Sequence, residues 1–150
     1  MGFLPLSAES IRGVNSGRRA GFVTMSPEVT GIRFVNRLSN PSVASNRLLE
    51  DGSGVALGDV DGDGKCDIYL CGLETGNALY RNLGNWRFEE VAAASGVACP
   101  GQFSTGAVFA DVDGDRDLDL LVNSLGGGTR LFLNDGRGGF AESLNSGLVS

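Results

Sequence analysis

The sequence has 150 residues, with 41% apolar residues and 24 glycines, which suits one turn-rich domain with a packed core. A net charge of −6 argues against nucleic acid or an anionic membrane surface as the partner. The absence of histidine excludes Ser-His-Asp and Cys-His catalysis and histidine zinc sites. No apolar run approaches the roughly 20 residues that a membrane-spanning helix needs.

Residues 1–21 are predicted to be a poorly structured N-terminal lead. The apolar start is interrupted by Pro5 and Ser7, and no basic region precedes it, so the segment is a poor signal peptide. We therefore expect any export signal to lie upstream of this chain.

A repeat of 52 residues organises the remainder of the chain. GSGVALGDVDGDGKCDIYL, which begins at Gly52, aligns without a gap on STGAVFADVDGDRDLDLLV, which begins at Ser104. The same shift places LYRNLG on LFLNDG and Phe88 on Phe140. A match sustained over more than 30 residues indicates a duplicated structural unit.

Each unit is predicted to contain four short strands separated by turn residues. In the first unit they are 55–60, 67–73, 78–82 and 87–91, and in the second 107–112, 119–124, 129–133 and 139–143. Four strands in a repeat of about 50 residues are typical of a propeller blade. The predicted fold is therefore all-β: a partial β-propeller with two four-stranded blades, residues 54–97 and residues 98–150.

The second strand of each unit is apolar on both faces, as in Ile68-Tyr69-Leu70 and Leu120-Leu121-Val122. Such a strand must be covered on both sides, as in blades stacked between other blades. A two-sheet sandwich, the second choice, would alternate more regularly.

Each blade ends with a phenylalanine-led strand and a Gly-aliphatic pair: Phe88 with Gly96-Val97, and Phe140 with Gly147-Leu148. Phe22 with Gly31-Ile32 has the same form. Residues 22–53 are thus predicted to be the stray closing strand of a preceding blade and a linker. Two blades and one strand do not close a ring, for which four to eight blades are typical, so we expect the chain to be a fragment or part of an assembly.

The aspartates are concentrated in two loops. Nine of the eleven lie in two short stretches, and in each stretch four occupy positions one, three, five and nine. Alternate residues of a tight loop can direct their carboxylates toward one centre, and Ca²⁺ prefers six to eight such oxygen ligands. With the backbone carbonyls at position seven, the predicted ligands of two Ca²⁺ ions are Asp59, Asp61, Asp63, Lys65, Asp67, Asp111, Asp113, Asp115, Asp117 and Asp119.

Three alternatives to a Ca²⁺ loop fit less well. Mg²⁺ prefers few protein ligands and keeps its waters. An EF-hand needs a glutamate at position twelve and flanking helices, but Leu70 and Val122 occupy that position inside strands. A solvated acidic turn without metal would have to crowd four carboxylates twice at the same spacing.

The two loops differ at position six, where the first has Gly64 and the second Arg116. A sharp turn at this position often needs positive φ, which glycine adopts freely. If the geometry is shared, Arg116 adds strain on the order of 1 kcal/mol.

These motifs resemble the FG-GAP/VCBS repeats of integrin α-subunit propellers, and most closely the cartilage acidic protein-like (ASPIC/UnbV) family. The resemblance extends from about Phe22 to Leu148. It implies that the D-x-D-G-D-G-x-x-D loops bind Ca²⁺ between the first and second strands of a blade, with a departure at Arg116. It also implies a secreted, periplasmic or cell-surface location and propellers of about seven blades.

The sequence is compatible with three functions. The first is an extracellular, Ca²⁺-rigidified binding or adhesion scaffold whose partner is an unknown protein or glycan. The second is a propeller segment of a secreted enzyme that acts on polysaccharides or esters. The third is a purely structural repeat segment. No residue is predicted to be catalytic, because the all-aspartate loops offer a closed cage and no neighbouring base. The expected contact partners also include further blades in the same or another chain.

Overall fold

The structure, a computed structural model, describes residues 21–144 and Gly147. Its described strands form two four-stranded antiparallel sheets in the orders β1-β2-β3-β4 and β5-β6-β7-β8. The first sheet, blade 1, consists of β1 (Val55–Gly58), β2 (Asp67–Leu70), β3 (Ala78–Gly84) and β4 (Arg87–Glu90). The second sheet, blade 2, consists of β5 (Ser104–Ala110), β6 (Asp119–Ser124), β7 (Gly128–Asn134) and β8 (Phe140–Glu142). The prediction of an all-β pair of four-stranded blades is confirmed.

The two sheets share one register. Leu57 pairs with Ile68, and Ile68 with Tyr80. The corresponding pairs 52 residues later are Phe109 with Leu120, and Leu120 with Phe132. The sequence repeat is therefore a structural repeat down to single residue pairs.

The core lies between the two sheets. Tyr69, Leu120 and Val122 are completely buried, and the Tyr69 ring meets Phe109 edge to face at a centroid distance of 6.2 Å. The start of β1 approaches β5 closely because both have glycine there: a Cβ on Gly54 would lie 2.7 Å from the Cα of Gly106. Packing of blade against blade buries Tyr69 of β2 and Leu120 and Val122 of β6, whereas Ile68, Leu70 and Leu121 on the opposite faces are only partly buried.

The predicted N-terminal strand at Phe22 is wrong. Residues 21–26 are irregular, Phe22 is fully exposed, and no strand forms between residues 21 and 54. Pro27 lacks an N–H and its fixed φ suits the first turn of a helix, and it begins helix α1 (Pro27–Thr30). The predicted linker contains helix α2 (Asn40–Ser45) and a 3₁₀ helix (Arg47–Asp51). The proposed lead, residues 1–21, lies outside the described residues except for Gly21.

The segment from Gly31 to Ser39 runs over the outer side of blade 1. The N–H of Arg33 donates to the Tyr80 hydroxyl at 3.0 Å, and Asn36 Oδ1 accepts from the N–H of Leu73 at 2.9 Å. The carboxylate of Glu74 accepts from the N–H of Ser39 at 2.9 Å. These bonds attach the N-terminal segment to the first blade.

The cysteines are unpaired in the structure. Cys71 and Cys99 are buried and Cys66 is exposed. Burial raises the pKa of the Cys71 thiol to about 11, so Cys71 is a packing group rather than a reactive one. Among the described residues no helix is long and apolar enough to span a membrane.

Candidate metal centre

The two aspartate loops occupy equivalent places, one between β1 and β2 and the other between β5 and β6. In each loop two positions adopt positive φ. They are Gly62 at 73° and Gly64 at 82° in the first loop, and Gly114 at 88° and Arg116 at 78° in the second. The two loops share these two positive-φ positions, and Arg116 takes the left-handed conformation that the comparison with Gly64 predicts.

Carboxylates converge in both loops. In the first loop, one oxygen each of Asp59, Asp61 and Asp67 lie within 4.8 Å of one another. In the second loop, the same holds for one oxygen each of Asp111, Asp113 and Asp115. Such oxygen clusters are the donor chemistry that a hard cation such as Ca²⁺ selects.

Hydrogen bonds to the loop backbone hold the first carboxylate of each loop in place. Asp59 accepts from the N–H of Asp63 at 3.1 Å and of Gly64 at 2.8 Å. Asp111 accepts from the N–H of Gly114 at 2.7 Å and of Arg116 at 3.1 Å. These hydrogen bonds orient the carboxylates of Asp59 and Asp111 through the backbone of their own loops.

The ninth position is a buried carboxylate that joins three parts of each blade. Asp67 accepts from the N–H of Val60 at 3.0 Å and of Asn82 at 2.8 Å. Asp119 accepts from the N–H of Val112 and Asn134, each at 2.9 Å. Burial raises the pKa of Asp67, and the two N–H donors oppose this shift. The ninth aspartate therefore organises the loop as well as supplying oxygen.

The first loop carries its own cations. Lys65 Nζ lies 2.5 Å from Asp63 Oδ2, and Arg81 Nε lies 3.1 Å from Asp61 Oδ2. Asp63 is thereby turned toward Lys65, and its oxygens are not among the three that converge. In blade 2 the positions equivalent to Lys65 and Arg81 are Asp117 and Leu133, so the second loop lacks both cations.

The second loop is correspondingly richer in uncompensated negative charge. Asp117 Oδ1 is buried and makes no hydrogen bond to the described residues. Partial burial, and next the neighbouring Asp115 carboxylate, raise the pKa of Asp117 to about 6. A bound cation would relieve both effects.

The residues present fit a Ca²⁺ ion. They offer converging carboxylates, a buried carboxylate at the ninth position of each loop, and in the second loop an oxygen, Asp117 Oδ1, that has no partner within the described part of the chain. The three clustered residues of each loop would hold the ion directly. The ligand roles of all ten predicted residues stay predictions, and Asp63, Lys65, Asp117 and Asp119 lie outside the two clusters of converging oxygens.

One contributor to the site was missed by sequence reasoning. The turn between β7 and β8 of blade 2 lies against the first aspartate loop of blade 1. A Cβ on Gly138 would be 3.5 Å from the Asp61 Cβ, and Asn134 Nδ2 donates to the carbonyl of Val60 at 2.9 Å. The signal was present as the Asn-Asp-Gly turn beginning at Asn134, but its neighbour across the blade junction is not visible in a single blade.

Comparison with known proteins identifies the repeat. Residues 59–122 match the FG-GAP-like repeat family. Cartilage acidic protein 1 is 36% identical to this chain over 83 residues in Mus musculus, 35% in Homo sapiens and 34% in Xenopus tropicalis. These residues are 55% of this chain but only 12–13% of the length of those relatives. The chain therefore contains an FG-GAP-like repeat segment in two propeller blades and is related to the cartilage acidic protein 1 sequences.

Proposed function

We propose that this chain is an extracellular, Ca²⁺-stabilised propeller module that acts as a binding or adhesion scaffold and binds one ion in each aspartate loop. The observation that carries the proposal is the convergence of three carboxylates in each loop within an FG-GAP-like repeat. The ions are structural, because each loop links the first two strands of a blade and contains the carboxylate that joins them to the third. The extracellular location rests on the similarity to cartilage acidic protein 1.

A scaffold is favoured over an enzyme by the chemistry of the whole sequence. It contains no histidine, and the buried thiols of Cys71 and Cys99 have raised pKa values because of burial. Except for Asp117, the aspartates of the two loops accept hydrogen bonds from backbone N–H groups of their own blade. A polysaccharide- or ester-acting enzyme would need a base beside an open metal position.

The ligand of the scaffold is proposed to be a protein or glycan, together with further blades of the same kind. Val60 is only 3% exposed, because the β7–β8 turn of the next blade covers it, whereas the equivalent Val112 is 46% exposed. We expect Val112 to accept the corresponding turn of a further FG-GAP-like blade. In sedimentation experiments on this chain, self-association that Val112→Lys abolishes would support this contact in trans, and a monomer at all concentrations would contradict it.

Thermal unfolding in Ca²⁺ and in chelator tests the proposed function. Extracellular Ca²⁺ modules bind at about 10⁻⁴ to 10⁻³ M, so 10 mM Ca²⁺ should stabilise each site by roughly 1.4–2.7 kcal/mol. Both sites together should raise the melting temperature by about 6 °C or more. Mg²⁺ at the same concentration is the control and should give a smaller shift. Equal melting temperatures in Ca²⁺ and chelator would contradict the proposal.

A further inference from the structure

The side chain of Asn134 lies between the two aspartate loops and is bonded to both. Its Nδ2 donates to the carbonyl of Val60 at 2.9 Å and to the carbonyl of Leu118 at 3.0 Å. Val60 is the second residue of the first loop, and Leu118 is the eighth of the second. A single amide group thus connects two candidate ion sites that lie on different blades.

Asn134 makes further hydrogen bonds within its own turn and to the second loop. Its Oδ1 accepts from the N–H of Asp135 at 2.8 Å and of Gly138 at 3.2 Å. Its backbone N–H donates to Asp119 Oδ1 at 2.9 Å, and Asp119 is the ninth residue of the second loop. Both hydrogens of Nδ2 and the Oδ1 oxygen are therefore engaged, so a shift of either loop is transmitted to the other through this side chain.

The peptide groups around Val60 lie directly between candidate ligands of the first loop. Val60 follows Asp59 and precedes Asp61, its N–H donates to Asp67 at 3.0 Å, and its carbonyl accepts from Asn134. A displacement of Asn134 would rotate the peptide plane that begins Asp61, and the position of that carboxylate would change with it.

Blade 1 provides a natural comparison at Asn82, which occupies the equivalent position 52 residues earlier. Its Nδ2 donates to the carbonyl of Cys66 in its own loop at 2.9 Å, and its backbone N–H donates to Asp67 at 2.8 Å. Among the described residues Asn82 makes no bond to another aspartate loop. The two asparagines therefore share their support of the local loop and differ in the link between loops.

We infer that Asn134 is a positioning residue that couples the two aspartate loops, so that the two Ca²⁺ ions bind with positive cooperativity. The inference rests on the proposed Ca²⁺ function. When one ion orders its loop, Asn134 is held in the position that the other loop requires. Binding of the second ion then loses less conformational entropy, because part of its loop is already ordered.

Calorimetric titration with CaCl₂ tests the coupling. The affinity of each site alone is measured in the Asp61→Asn and Asp113→Asn variants, each of which leaves one loop intact. In the unmodified chain the dissociation constant of the second ion should be about fivefold or more lower than that of the same loop in the single-site variant. A factor of five is the low end of typical allosteric coupling. Asn134→Ala should abolish the difference, whereas Asn82→Ala should weaken the first loop and keep the coupling.

A second measurement needs no change at Asn134, so it remains decisive if Asn134→Ala does not fold. In the Asp113→Asn variant Ca²⁺ loads only the first loop. Amide hydrogen exchange at Gly114 and Arg116, in the second loop, should then slow when CaCl₂ is added. The inference would be overturned if exchange at Gly114 and Arg116 did not change. It would also be overturned if each loop of the unmodified chain bound Ca²⁺ with the affinity measured in the single-site variant. A chain that binds no Ca²⁺ at all would instead contradict the proposed function.

Discussion

Gly96 packs directly against the carbonyl of Phe140, and a Cβ on Gly96 would lie 2.9 Å from that oxygen. The contact joins the turn that ends blade 1 to the last strand of blade 2, and the N–H of Phe140 donates to the Ser95 carbonyl at 3.1 Å. One repeat earlier, a Cβ on Gly31 would lie 2.4 Å from the Phe88 carbonyl. The glycine of each of these two Gly-aliphatic pairs thus contacts the phenylalanine-led strand of the following blade.

We therefore expect Gly96→Ala to destabilise the protein through both conformation and packing. Gly96 has a φ of 80°, which costs an alanine roughly 1–2 kcal/mol, and the close contact with Phe140 adds about 1–3 kcal/mol. Gly126→Ala is the matched control, since Gly126 has a φ of 79° and nothing within 4 Å of its Cβ position. Urea unfolding should show a larger loss for Gly96→Ala. Equal losses would contradict the packing argument.

These glycines also show what the sequence could and could not predict. Phe22, Phe88 and Phe140 stand in the same pattern, so the similarity of the Gly31 and Gly96 turns was predictable. The strand at Phe22 was not formed, because a strand needs a neighbour to bond with, and no described strand lies beside residues 21–26. The carboxylate loops followed from spacing within one blade. The role of Asn134 depends on how two blades stack, which a single-repeat pattern does not contain.

Relief of backbone strain should make Arg116→Gly stabilising. Arg116 adopts a φ of 78° where the first loop has Gly64, and removing this strain should raise the free energy of unfolding by about 1 kcal/mol. The reciprocal Gly64→Arg should lower it by a similar amount. Chemical denaturation in chelator isolates the backbone effect from ion binding. Destabilisation by Arg116→Gly would show that its side chain contributes contacts that outweigh the strain.

The raised pKa of Asp117 predicts an unusual pH dependence for the metal-free chain. Burial and Asp115 raise this pKa to about 6, from 3.8 for the free group. Between these two pH values Asp117 binds more protons in the folded chain than in the unfolded chain. The contribution of Asp117 to the free energy of unfolding therefore grows as the pH falls from 7 toward 5. Carboxylates with lowered pKa values, such as Glu142 beside Arg130, lose their contribution only at lower pH.

Urea unfolding in chelator at pH 7 and pH 5 measures this effect, with Asp117→Asn as the comparison. The unmodified chain should gain more stability, or lose less, on acidification than Asp117→Asn does. In Ca²⁺ the direction should reverse, because protons compete with the ion for carboxylate oxygens. Identical pH profiles for the two proteins in chelator would show that Asp117 is not perturbed.

The most direct test of two Ca²⁺ sites is the stoichiometry of calorimetric titration at pH 7. The unmodified chain should bind two ions, and Asp61→Ala and Asp113→Ala should each bind one. The double variant should bind none while keeping the circular dichroism of a β-sheet protein. Two ions in the unmodified chain and one in each single variant would establish the paired aspartate loops as the metal sites. No heat with Ca²⁺, or a stoichiometry that neither substitution changes, would contradict the account.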